Sequence, residues 1–167
     1  DGVALRGKNS PEFLVAYLAV LQLGARVLPL NPQLPVSLQA QLFPLLNIDF
    51  GWCTQNTEWP ADIVSLSYQT TFNDAVIANA IASWPSEQGV TMTLTSGSSG
   101  LPKAVVHRVE AHLANASGLL QMMQFDAQDR WLLSLPLFHV SGQGVLWRWL
   151  LKGATLVQRD MHPLADA

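Results

Sequence analysis

The amino-acid sequence predicts an α/β fold in which a mostly parallel sheet is flanked by helices. Strand-like and helix-like segments alternate through the first 53 residues, as expected of strand–helix–strand units. The apolar run at residues 25–30 is followed by Asn31 and Pro32, the pattern of a buried strand that runs into a turn. A second strand-like run, residues 90–95, is rich in β-branched side chains.

The first helix has the clearest boundaries in the sequence. Ser10 is a good N-cap, Pro11 suits the first helical position, and Glu12 places an acid in the first turn. Apolar residues continue to Leu23, and Gly24 is a typical stop signal. A strand at residues 3–5 precedes this helix. Together they predict the first strand and helix of the fold.

The remaining elements follow from apolar patterning and from turn signals. Residues 54–89 have weak periodicity, and there we expect only a connecting strand near residues 63–67 and a helix over residues 74–82. The other predicted helices span residues 36–46, 109–124 and 145–151, and the other predicted strands span residues 50–53, 131–135 and 154–157. The apolar residues 104–106 are expected to return the chain to the sheet.

Composition narrows the class of protein. Only 13% of residues are charged and 49% are hydrophobic, which is typical of a buried portion of a larger enzyme. The chain starts at Asp1 directly before a strand and stops soon after another, so we expect both ends to lie within a larger fold. The longest apolar run, residues 13–21, is too short to span a membrane.

Charge and cysteine content exclude other classes. The net charge of −3, with scattered basic residues, lacks the footprint of a nucleic-acid-binding protein. A single cysteine, Cys53, cannot form an internal disulfide and fits a reducing compartment, so a cytoplasmic location is expected. His107, His112 and His162 have no metal-ligand spacing, and we predict no protein metal site.

The loop at residues 95–103, TSGSSGLPK, is the most informative stretch of the sequence. Glycines allow backbone N–H groups to approach a ligand closely and to point into one concavity. Four hydroxyls add hydrogen-bond donors, and Lys103 adds a mobile positive charge. This combination suits a polyphosphate. The candidate phosphate-binding residues are Thr95, Ser96, Gly97, Ser98, Ser99, Gly100 and Lys103.

An ordinary flexible Gly/Ser turn is the alternative for this loop, since such turns are common. The strand-like run before it, the stiffening Pro102 and the apolar residues after it favour the phosphate loop. It is not a Walker loop, because Pro102 stands where that motif requires its second glycine.

Three motifs in the same order resemble the adenylate-forming superfamily, which contains acyl-CoA ligases, luciferases and peptide-synthetase adenylation domains. Residues 95–103 resemble its phosphate-binding motif, residues 21–32 (LQLGARVLPLNP) its early structural motif, and residues 135–139 (LPLFH) its aromatic-histidine motif. Ala104 departs from the glycine that follows the lysine in many relatives. Residues 104–107 and 135–149 look most like the 2-succinylbenzoate CoA ligases of menaquinone biosynthesis.

The resemblance implies roles for the residues around His139. A lone histidine beside apolar residues is usually structural, but in this superfamily the aromatic-histidine pair lies by the acyl substrate and gates access between the ATP and carboxylate sites. The resemblance thus assigns His139 and Lys103 to catalysis, and Phe138, His139, Ser141 and Gly142 to the substrate pocket. From the sequence, His139 is expected between the end of a strand and a flexible turn at residues 140–144.

The resemblance also implies a reaction: ATP, with Mg²⁺, converts a carboxylic acid to an acyl-adenylate, and CoA then displaces AMP. The chain would be a fragment of the large N-terminal AMP-binding domain, with a first α/β part at residues 1–89 and a phosphate-loop and acyl-pocket part at residues 90–167. The C-terminal domain and the adenine, ribose and Mg²⁺ motifs have no counterpart, so the chain alone is expected to be inactive. A fatty-acid or benzoate-type ligase and a non-catalytic phosphate-binding module are the alternatives.

Overall fold

The computed structural model describes residues 1–55, 57–67, 85, 87–95 and 100–159. The helix predicted over residues 74–82 and the loop residues Ser96, Gly97, Ser98 and Ser99 lie outside this range. Among the described residues, no helix is long and apolar enough to cross a membrane.

Strands and helices alternate in residues 2–53 and again in residues 103–157, as the sequence predicts. The strands are β1 (Gly2–Arg6), β2 (Arg26–Leu30), β3 (Ile48–Cys53), β4 (Val64–Ser65), β5 (Gly89–Thr95), β6 (Lys103–Arg108), β7 (Arg130–Leu132) and β8 (Thr155–Val157). The helices are α1 (Pro11–Gln22), α2 (Val36–Leu46), α3 (Val109–Met122) and α4 (Val140–Lys152).

Six strands form one sheet in the order β4-β3-β1-β2-β5-β6. Every neighbouring pair is parallel except β5 and β6, which form an antiparallel hairpin. A separate two-stranded parallel sheet pairs β7 with β8. The prediction of a mostly parallel sheet is confirmed, and so is the return of residues 104–106 to that sheet.

Helices cover both faces of the large sheet. On one face, α1, α3 and α4 pack against side chains such as Leu5, Val27 and Val90. On the other face, α2 places Leu42 and Phe43 against the alternate strand positions. Burial on both faces explains why β1 and β2 are apolar along nearly their whole length.

Local signals set the ends of the first helices. The Ser10 hydroxyl accepts a hydrogen bond from the Phe13 N–H at 3.1 Å, which caps α1. Gly24, just beyond the helix, has φ of 74°, a conformation that glycine adopts without steric cost. Helix α2 has the predicted bounds, and Asn47 ends it in the left-handed conformation with φ of 51°.

Two predicted elements differ from the structure by more than two residues at one end. The strand predicted at residues 131–135 ends at Leu132, because the chain then turns and the backbone of residues 135–137 pairs with a side chain instead of a strand. The helix predicted at residues 145–151 begins at Val140, so residues 140–144 are its first turns and not a flexible turn. Its glycines favoured a turn in the sequence, but packing keeps them helical.

Candidate functional site

A cavity of about 710 Å³ opens where strands β2 and β5 end and helix α4 begins. Ligands of open α/β sheets bind at this edge, where parallel strands end together. Its walls come from three regions: Pro29, Asn31 and Leu34 at and after β2; Thr93, Leu94, Thr95 and Pro102 around the β5–β6 hairpin; and Phe138, His139, Val140 and Ser141 at the start of α4. Two motifs far apart in the sequence thus face one space.

The β5–β6 hairpin brings the two ends of the phosphate loop together. Thr95 is paired with Lys103 across the strands, and the Thr95 hydroxyl donates a hydrogen bond to the Lys103 carbonyl at 3.1 Å. Gly100 has φ of 146°, and among the described residues no heavy atom lies within 4 Å of the Cβ that another residue would carry there. The described end of the loop therefore leaves room for a ligand beside the backbone of Gly100.

Lys103 is exposed at the loop end of this hairpin, where β6 begins. The described residues provide it with no salt-bridge partner within 4 Å. The Thr95 hydroxyl has only one proton, which it gives to the Lys103 carbonyl, so it would have to rotate to donate to a phosphate. Among the described residues at this end of the hairpin, Lys103 therefore has a charge that is available to an anion.

His139 is the N-cap residue of α4 and is exposed at the cavity wall. The centroid of its ring lies 4.6 Å from that of Phe138. Its backbone N–H donates to the Pro136 carbonyl at 3.0 Å, which closes a tight turn. The first N–H groups of a helix lack partners within the helix, and its N-terminus favours negative charge. This end of α4 therefore suits a carboxylate or a phosphate.

Gly142 does not line the cavity. It is buried behind the turn, and a Cβ built on it would lie 2.1 Å from the Pro136 carbonyl oxygen. A glycine is needed here because the helix and the turn touch backbone to backbone. The structure thus gives Gly142 a packing role beside His139, while Ser141 and Phe138 reach the cavity itself.

A buried polar chain, which the sequence analysis did not identify, joins the cavity wall to helix α1. Gln143 is fully buried; its Nε2 donates to Thr93 Oγ1 at 3.2 Å, and its Oε1 accepts from the Tyr17 hydroxyl at 3.3 Å. Burial raises the pKa of Tyr17 well above its usual value, so it remains a neutral donor. A single glutamine between two glycines near the start of α4 was the sequence signal for this contact.

A second buried contact joins α3 and α4 to the sheet. His112 Nε2 hydrogen-bonds Thr91 Oγ1 at 2.7 Å, and its ring stacks on Trp147 with centroids 4.7 Å apart. Burial, with a smaller contribution from His107, lowers the pKa of His112 to about 4. The ring is thus neutral at neutral pH. Within the described ranges, no group of three or more His, Cys, Asp or Glu side chains is arranged to hold a metal ion.

Residues 46–167 match the protein family described as AMP-binding enzyme, and this match covers more than half of the chain. The chain belongs to this family. The resemblance indicated by the three motifs is therefore confirmed.

Individual relatives narrow the comparison. The chain is 51% identical to a 2-succinylbenzoate–CoA ligase of Salmonella typhimurium over 164 residues, which cover 98% of this chain and 35% of that protein. Among solved structures it is similar to a variant of Escherichia coli MenE with bound OSB-AMS, at 47% identity and a TM-score of 0.85, covering 98% of this chain and 36% of that one. The chain thus spans about a third of the length of these relatives.

A more distant structure supports the fold alone. An o-succinylbenzoate CoA synthetase from Bacillus subtilis, in complex with the acyl-adenylate intermediate OSB-AMP, has a TM-score of 0.82 at 23% identity. The match covers 97% of this chain and 44% of that one. The arrangement of strands and helices is therefore retained where most side chains differ.

Proposed function

We propose that the full-length protein converts 2-succinylbenzoate, ATP and CoA to 2-succinylbenzoyl-CoA, AMP and pyrophosphate. The observation that carries this proposal is the single cavity shared by the phosphate-loop hairpin and the Phe138–His139 pair. The high identity to 2-succinylbenzoate–CoA ligases supports the choice of acid. Small molecules are the partners in this proposal, and the cytoplasm, where ATP and CoA are available, is the proposed location.

The reaction needs two substitutions, because a carboxylate is a poor acyl donor. In the first, a carboxylate oxygen attacks the α-phosphorus of ATP; the bond to the bridging oxygen breaks and pyrophosphate leaves. In the second, the CoA sulfur attacks the acyl carbon, the thiol proton is lost and AMP leaves. The protein must bring two anions together in the first step and stabilise the charge that gathers on pyrophosphate.

The phosphate loop performs the second of these tasks in the proposal. Lys103 places a positive charge where the loop joins β6, and no described atom crowds the backbone of Gly100. We assign the pyrophosphate end of ATP to Lys103 and Gly100 together with the loop residues Thr95, Ser96, Gly97, Ser98 and Ser99. Donors fixed in place before the reaction cost little reorganisation as charge develops.

Mg²⁺ accompanies ATP in this proposal. The described part of the chain offers no cluster of protein ligands for the ion. Mg²⁺ retains water and phosphate oxygens as ligands in many nucleotide sites, so an exposed lysine beside the phosphates is compatible with it. It would supply further charge neutralisation on the phosphates.

The acyl side of the cavity lies around α4. We propose that Phe138, Ser141 and His139 line the pocket for the acid and that His139 controls passage between the ATP and acid sites. The N-terminus of α4 favours the reacting carboxylate over a neutral group. Gly142 contributes by letting the turn that carries His139 sit against the helix.

The test is pyrophosphate exchange into ATP by the full-length protein, followed by thioester formation with CoA. We expect exchange to depend on 2-succinylbenzoate and the thioester to accumulate only with all three substrates. Exchange with a fatty acid or benzoate, but not with 2-succinylbenzoate, would assign another acyl-CoA ligase. Nucleotide binding without exchange for any of these acids would favour the non-catalytic module.

A further inference from the structure

Asn9, in the loop between β1 and α1, binds a segment more than 120 residues away in the sequence. Its Nδ2 donates to the Leu135 carbonyl at 2.9 Å, and its Oδ1 accepts from the Leu137 N–H at 3.0 Å. One side-chain amide thus satisfies a carbonyl and an N–H two residues apart, as a neighbouring strand would. The Asn9 carbonyl also accepts from Gln158 Nε2 at 2.6 Å.

The segment that Asn9 holds leads directly into the cavity wall. Leu137 is buried, and the next two residues are Phe138 and His139. Behind Phe138, Asn9 and Pro136 help to line a second cavity of about 240 Å³. Phe138 thus borders open space on this side as well as the larger cavity, so its position depends on the backbone that carries it.

We propose that Asn9 is a positioning residue for the acyl side of the site. It fixes the backbone that carries Phe138 and His139 and so sets the shape of the pocket for the carboxylic acid. This inference rests on the proposed acyl-CoA ligase activity. The described bonds of the Asn9 side chain go to the segment that carries Phe138 and His139, so we expect its influence to fall on the acid more than on ATP.

Only an amide of this length fits both partners. Aspartate keeps the acceptor for Leu137 but replaces the donor with an oxygen facing the Leu135 carbonyl. Alanine removes both bonds and leaves a backbone N–H and a carbonyl without their partner. Asn9→Asp is thus nearly the same shape as the wild type while lacking one bond.

The test compares Asn9→Asp and Asn9→Ala with a matched control, Gln158→Ala, in the full-length protein. The control removes a hydrogen bond to Asn9 itself but leaves the bonds to Leu135 and Leu137. Misplacement of a reacting group by about 1 Å can cost about 100-fold in rate, so we expect the Asn9 variants to lower kcat/KM for the acid by about 10-fold or more. The KM for ATP should stay within about twofold of the wild type.

Amide hydrogen exchange gives a readout that does not depend on activity. Faster exchange at residues 134–139 is expected in both Asn9 variants and not in Gln158→Ala, since the local opening that exposes these amides becomes easier. Should Asn9→Ala not fold, Asn9→Asp alone carries both measurements.

The outcomes separate the two proposals. An unchanged kcat/KM for the acid in Asn9→Asp would overturn the positioning role. So would losses of kcat/KM that are equal for ATP and the acid in both Asn9→Asp and Gln158→Ala. A wild-type protein that adenylates none of the tested acids would instead contradict the proposed function. In that event, unchanged amide hydrogen exchange at residues 134–139 in Asn9→Asp would still refute the positioning role of Asn9, and faster amide hydrogen exchange would support it.

Discussion

Replacing Gly142 with alanine tests whether the close approach of α4 to the Pro136 turn shapes the site. The added Cβ would lie 2.1 Å from the Pro136 oxygen, 2.6 Å from its carbonyl carbon and 2.7 Å from the Leu135 oxygen. Ordinary carbon contacts lie at about 3.5–4.0 Å, so the backbone must move by more than about 1 Å. All three neighbours are backbone atoms, which cannot rotate out of the way.

Two opposing terms decide the magnitude. Alanine gains about 1 kcal/mol over glycine within a helix. Overpacking of a filled site costs typically about 1–3 kcal/mol, and this contact is far shorter than a tolerated one. We therefore expect Gly142→Ala to be less stable than the wild type by about 2 kcal/mol and to lose activity toward the acid.

Gly118→Ala is the matched control, because Gly118 lies within α3 and its added Cβ has no heavy atom within 4 Å in the part of the chain that the structure describes. This change should stabilise the protein by about 0.5–1 kcal/mol and leave activity unchanged. Urea unfolding and acid-dependent pyrophosphate exchange of the full-length variants give both numbers. A Gly142→Ala protein as stable and as active as Gly118→Ala would refute the packing role.

Three further predictions concern the buried contacts and the loop lysine. Burial lowers the pKa of His112 from 6.5 to about 4, so the unfolded chain binds a proton at a higher pH than the folded chain. The free energy of unfolding should therefore fall by up to ~3 kcal/mol as the pH drops from 6.5 to 4. In urea unfolding, His112→Gln should show a shallower pH dependence than the wild type. Gln143→Leu removes the buried partner of the Tyr17 and Thr93 hydroxyls and should lower the free energy of unfolding by about 1–3 kcal/mol. If these lost hydrogen bonds are the cause, Gln143→Leu should cost less in a protein that already carries Tyr17→Phe and Thr93→Val. Lys103→Met should slow pyrophosphate exchange by about 100-fold without loss of stability, because the side chain is exposed and its charge serves phosphate; an unchanged exchange rate would remove Lys103 from the mechanism.

Local signals predicted the first part of the fold well. The Ser10 cap, Pro11 and Gly24 set α1, and the predicted bounds of α2 agree with the structure, because these features depend on neighbouring residues alone. The parallel sheet followed from the alternation of apolar runs with helices. The return of the chain to the sheet after the loop followed from the apolar residues 104–106, whereas the antiparallel pairing of β5 with β6 was seen only in the structure.

The start of α4 could not be predicted from local pattern. Gly142 resembles a turn residue until its neighbour across the fold, Pro136, is known. In the same way, Asn9 and Gln143 are ordinary polar residues in the sequence, and the partners of their side chains lie 50 to 128 residues away. Motif resemblance located the candidate site residues, whereas the groups that hold them in place became visible only through long-range contacts.

The most direct test is a crystal structure of the full-length protein with Mg²⁺ and a non-hydrolysable ATP analogue. The proposed mechanism predicts the β- and γ-phosphates against the loop at residues 95–103, with Lys103 Nζ within hydrogen-bonding distance of a phosphate oxygen. Phosphates bound elsewhere on the protein, with this loop empty, would contradict it.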